Sequence, residues 1–193
     1  MALVAANTPW MVWNLMLAAV PALLSFQLFR PGVRRRAAWW LGLGIFVAFL
    51  PNAPYVLTDV IHLATDIRGT ESNPVVAALV GQYGCFFLAG LACYAVSLAR
   101  LERWLRNAGW SLPRLLGLDV TLHVLCAVGV FLGRVFRLNS WDLVSHPHVV
   151  VSVFRVPKPQ TVVFLLVTTV ALAVSSAALR AAAGVRAVLS TAE

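Results

Sequence analysis

Five apolar stretches, Trp10–Phe29, Ala37–Leu57, Pro74–Ala99, Leu115–Val135 and Thr161–Ala183, are each long enough to cross the hydrocarbon core of a bilayer as a helix. That property removes most architectures at once. In lipid every backbone N–H and C=O must find its partner inside the protein, and an open sheet edge leaves them bare. The runs also exceed the length of buried strands. The expected fold class is therefore all-α: a polytopic transmembrane helix bundle of about five spans. No internal repeat, low-complexity tract or domain-scale linker interrupts it, so residues 1–193 read as a single integral membrane domain. An alternative with six hydrophobic elements has Val149–Val156 dipping into the bilayer as a re-entrant piece.

Composition agrees. The chain is 61% hydrophobic and only 11% charged, with a mean hydropathy of +0.85, and so few charges could not cover the surface of a soluble domain of this size. The net charge of +8 would suit a nucleic-acid binder if it were clustered on one surface, but its distribution excludes that class. Arg30, Arg34, Arg35 and Arg36 follow the first span, and Arg100, Arg103, Arg106 and Arg114 lie between the third and fourth. Such clusters mark cytoplasmic loops. Asp59 to Glu71 holds three acids and one arginine, which suits the other side. The expectation is an outside N-terminus and a cytoplasmic C-terminus, with ten basic residues inside and five outside. Arg134, Arg137, Arg155 and Lys158, set against Asp142 alone, run counter to this bias. The expected location is a cell membrane, crossed several times.

The three cysteines form no framework: Cys85 and Cys93 are too far apart along one helix to bond, and Cys126 reads as a small apolar packer. No basic region precedes the first apolar stretch, so that span reads as retained and not cleaved as a signal peptide. Trp10, Trp13, Trp39 and Trp40 sit where interfacial rings are expected. Gly42 with Gly44, and Gly129 with Gly133, offer thin surfaces for close helix approach.

Chemistry concentrates in two places. The second span ends in Leu50-Pro51-Asn52-Ala53-Pro54-Tyr55-Val56-Leu57-Thr58-Asp59-Val60-Ile61-His62. Two prolines remove two backbone donors, leaving the carbonyls of Val47 and Leu50 for Asn52, Tyr55 and Thr58 to satisfy. If the helical turn continues, Tyr55, Asp59 and His62 share a face. The fourth span carries Asp119 and His123 four apart and runs into Gly133-Arg134-Val-Phe-Arg137-Leu-Asn139-Ser-Trp141-Asp142. Arg134 and Arg137 would present forked donors to a carboxylate or phosphate near the same boundary. Arg134 is expected to lie against Asp59, since two lone desolvated charges at equal depth are costly and pairing reduces the penalty. Asn14, Asp119 and His123 are the polar groups placed inside the membrane. His146 and His148 could join Asp59, His62 and Asp142 around a metal, but no metal-binding signature is present, so a metal centre stays open and no cofactor is expected.

Pro51-Asn-Ala-Pro-Tyr-Val-Leu-Thr-Asp-Val-Ile-His62-Leu63, together with Gly133-Arg134 and Arg137-Leu-Asn-Ser-Trp-Asp142, resembles the signatures of DUF1361, a prokaryotic family of predicted integral membrane proteins. The resemblance implies a bacterial or archaeal multi-pass protein of the prokaryotic plasma membrane and transfers no catalytic residue.

The function ranked first is binding or transport of a small ion, an anionic solute or a lipid headgroup. The residues expected to carry it are Asn52, Tyr55, Thr58, Asp59, His62, Arg134, Arg137, Asn139 and Asp142, with membrane lipids as surrounding partners and no nucleic acid. Transport would need a path inward, for which Asp119 and His123 are the candidates. The competing class is a membrane-embedded enzyme with His62 or His146 as base, Asp59 or Asp142 orienting it and Arg134 as an anion clamp. A structural subunit of a membrane complex is the third reading.

Overall fold

The computed structural model describes residues 2–137 and 159–190, with side chains to residue 182. Every regular element among them is helical. α1 runs Ala2–Leu28, α2 Ala37–Phe49, α3 Asn52–Tyr55, a 3-10 turn Val56–Asp59, α4 Val60–Arg68, α5 Asn73–Asn107, α6 Leu112–Phe136 and α7 Pro159–Ser190. Counted as continuous rods, five helices are long and apolar enough to span a membrane, with α2 through α4 acting as one. Asn139, Trp141, Asp142, His146, His148 and the Val149–Val156 segment lie outside the described residues.

α1 starts at Ala2 rather than Trp10 because Ala2-Leu-Val-Ala-Ala continues the apolar helix-forming run. It stops where Arg30-Pro31-Gly32 intervenes, with Gly32 at φ +70°, a conformation glycine adopts freely. Trp39 Nε1 donates to the Leu28 carbonyl at 3.0 Å, satisfying one of the acceptors that a helix end leaves open. α5 and α6 both begin with proline in the first turn, where its missing donor costs nothing.

The two prolines of the second span break it as the sequence leads one to expect, although the repair differs in detail. Asn52 Nδ2 donates to the Phe49 carbonyl at 3.1 Å, not to Val47 or Leu50. Leu50's carbonyl takes the Ala53 N–H at 3.2 Å, a tightened i+3 bond of the kind short 3-10 turns use. Thr58 Oγ1 donates to the Tyr55 carbonyl at 2.7 Å.

α1 lies along α5, α6 along α7, and the broken segment is wedged between α5 and α6. Glycines make the wedge possible. A Cβ on Gly90 of α5 would meet the Ala53 carbonyl oxygen at 2.8 Å, and one on Gly129 of α6 would meet Pro51 Cβ at 2.6 Å. Gly42 packs under Leu28, while Gly44 faces open space. The core formed this way includes Phe46, Leu50, Ala53, Tyr94, Leu98 and Cys126. The outside is equally apolar: Leu23, Leu41, Leu88, Val167 and Val174 are all more than 60% exposed. A continuous apolar exterior of this kind calls for a hydrocarbon solvent.

Candidate functional site

The polar residues gather in two clusters at opposite ends of the bundle. The first is built on the repaired break. The 3-10 turn delivers Asp59 to the core side of the rod, where only 3% of it is exposed. α6 brings Arg134 alongside, and its Nη1 lies 3.2 Å from Asp59 Oδ1. His62, one turn further along α4, places Nε2 at 3.7 Å from the same oxygen, with its side chain 53% exposed. Asp59 Oδ2 is buried and has no hydrogen-bond partner among the described residues.

Around these three residues sits a second ring that sequence reasoning did not place. Asp66 Oδ2 accepts from Asn7 Nδ2 at 2.7 Å and from the Tyr83 hydroxyl at 2.9 Å. Gln82 Nε2 donates to the Val4 carbonyl at 2.9 Å and to Thr8 Oγ1 at 3.1 Å. The Trp10 ring packs 5.7 Å from His62. A signal existed: Asp59, His62 and Asp66 recur at i, i+3 and i+7, one helical face. The partners on α1 and α5 carry no such local signature.

Several expected members stay out. Tyr55 makes no hydrogen bond to Asp59, because the intervening turn has three residues per turn and positions four apart no longer align. Thr58 turns its hydroxyl to the Tyr55 carbonyl. Arg137 does not join Arg134 on one face: it takes a left-handed conformation at φ 55° and ends α6, leaving its side chain exposed. Asn139 and Asp142 lie outside the described residues. No group of three metal-ligating side chains occurs among the described ones.

The second cluster occupies the end that carries Arg30, Arg34–Arg36 and Arg103. Tyr94 of α5 and His123 of α6 are both buried, with the hydroxyl 2.7 Å from Nδ1. His123 Nε2 lies 3.5 Å from Asp119 Oδ2, a long contact. With the proton on Nε2, Nδ1 accepts from the Tyr94 hydroxyl, while Nε2 is buried without a hydrogen-bond partner among the described residues. Arg180 of α7 donates to Asp119 Oδ2 and to Glu102 Oε2, both at 3.0 Å, and Glu102 also pairs with Arg106. Asp119 and His123 thus belong to a run of polar contacts Tyr94–His123–Asp119–Arg180–Glu102–Arg106 that links α5, α6 and α7, and Glu102 and Arg180 were not anticipated.

Between the clusters α6 is apolar, with Cys126, Ala127, Val130 and Phe131 buried. From His123 to Arg134 is roughly 16 Å of helix rise. No chain of hydrogen bonds joins the two ends among the described residues. Asn14 lies half-buried on α1 and bonds to neither cluster.

A family model described as a protein of unknown function (DUF1361) matches residues 13–175, most of the chain. No curated protein and no solved structure matches it.

Proposed function

The chain belongs to the DUF1361 family, and we propose that it is a plasma-membrane protein which binds an anionic group at the Asp59 end of the bundle. The observation that carries this reading is Arg134, held by Asp59 through a single guanidinium nitrogen at 3.2 Å. The remaining donors of its fork have no partner among the described residues, at a place where 20% of the side chain is open. A carboxylate or phosphate accepts such donors in pairs. The half-exposed His62 supplies another donor, and the unpartnered Oδ2 of Asp59 accepts from a hydroxyl carried by the same ligand. By the positive-inside bias this end faces outward, with the arginine-rich end in the cytoplasm.

Binding is favoured over transport because apolar packing separates this site from the Asp119 cluster. Titration with glycerol 1-phosphate and with succinate, followed by imidazole NMR of His62, tests the reading. Saturable shifts that vanish in Arg134→Gln are expected. No response of His62 to either probe at millimolar concentration overturns it.

One observation favours a second reading. The His62–Asp59 contact at 3.7 Å lies beside Arg134, and tightening to hydrogen-bond reach on binding a headgroup would give the pair that acid–base chemistry needs. Turnover of a bound headgroup, lost in His62→Gln while binding persists, would separate the enzyme from the binding protein.

A further inference from the structure

At the end of the bundle opposite Asp59, the turn after α1 and the last two turns of α5 enclose a cavity of about 380 Å³. Arg35, Arg100 and Arg103 line it together with Phe29, Trp104 and Asn107, and no carboxylate does. Three guanidinium groups around one space repel each other unless something neutralises them. The nearby acids are engaged elsewhere: Glu102 is bonded to Arg106 and Arg180, and Asp119 to Arg180. The carbonyl end of α5 offsets part of the repulsion, but a helix terminus contributes only about half a charge.

Two of the arginines, Arg35 and Arg100, are also held in place. Arg35 lies over two indoles, 4.8 Å from the Trp104 ring centre and 5.8 Å from that of Trp39. Arg100 sits 4.0 Å above the Phe26 ring, and its Nε is buried without a hydrogen-bond partner. A cation fixed on aromatic faces keeps its N–H edge directed outward.

We propose that this cavity binds the phosphate headgroup of an anionic phospholipid. The three arginines take the phosphate oxygens, and Asn107 is placed to meet a headgroup hydroxyl. A lipid is favoured over a soluble phosphate because the site is continuous with membrane-facing surface: Phe26, beneath Arg100, is 52% exposed and Trp40, beside Trp39, is 56% exposed. An acyl chain lying against that surface adds apolar burial that a free phosphate lacks. Basic pockets at a cytoplasmic boundary are suited to such headgroups.

Native mass spectrometry of the detergent-solubilised protein tests this with three probes: dioleoyl phosphatidylglycerol, dioleoyl phosphatidylcholine and inorganic phosphate. The first phosphatidylglycerol adduct should form about tenfold more tightly than the phosphatidylcholine adduct. The preference should disappear in the Arg100→Gln/Arg103→Gln protein and persist in Arg114→Gln, which changes an exposed arginine outside the cavity lining. Should the double variant fail to fold, the single changes Arg35→Gln and Arg103→Gln, both at exposed side chains, decide the matter by weakening the preference. Equal binding of the two lipids overturns the proposal, as does a folded double variant that keeps the preference. Displacement of phosphatidylglycerol by inorganic phosphate at comparable concentration overturns the lipid as the source of the phosphate.

Discussion

Arg134 and Asp59, separated by 75 positions in the chain, meet at 3.2 Å and tie α6 to the repaired break of the second span. Asp59 could not remain buried and ionised without that cation. Replacing Arg134 with alanine should cost roughly 3 kcal/mol, somewhat below the figure for a fully buried pair because part of the guanidinium meets solvent. Thermal unfolding in detergent measures it. The swap Asp59→Arg/Arg134→Asp should recover part of the stability lost by either single change, and no recovery would argue against a direct pair.

Gly90 is where α5 receives the broken segment, and any side chain there meets the Ala53 carbonyl oxygen. Gly90→Ala should destabilise the bundle by roughly 1–3 kcal/mol through overpacking. Gly81→Ala, at a position with open space beside it, should be neutral or slightly stabilising because alanine favours helix. Equal effects of the two changes in the same unfolding assay would contradict the wedge.

Tyr94→Phe keeps the ring and removes the hydroxyl that faces His123 Nδ1. A buried nitrogen loses its partner, which should cost roughly 1–3 kcal/mol. The His123 imidazole resonance should move while that of His62, at the far end of the bundle, should not.

Arg180 joins α7 to α5 and α6 through Glu102 and Asp119. Arg180→Gln should loosen α7, costing roughly 2 kcal/mol for two partly shielded charged bonds. Faster hydrogen exchange in residues 172–182, with exchange in α1 unchanged, is the expected readout.

Reporter fusions after Arg36 and Arg106 should report the cytoplasm, and a fusion after Glu71 the outside. Residue 71 on the cytoplasmic side would invert the orientation and leave the bundle intact.

The lipid solvent and the five apolar rods were legible from the chain alone. Run length and hydropathy select helices, Arg30-Pro31-Gly32 ends the first, and Pro51 with Pro54 breaks the second, because each of these effects acts within a few residues of its cause. The Asp59–Arg134 pair was legible too, since equal depth and the cost of a lone charge leave few alternatives. The remaining partnerships form through packing. Tyr55 leaves the Asp59 face because a 3-10 turn changes the angular step, and Arg137 leaves Arg134 because the chain turns left-handed there. Asp66 finds Asn7 and Tyr83, and Arg180 finds Glu102 and Asp119, only after α1, α5 and α7 have packed. A long polar side chain has many rotamers within reach of many partners, and which one it meets is set by helix contacts at Gly90 and Gly129 that hydropathy does not encode.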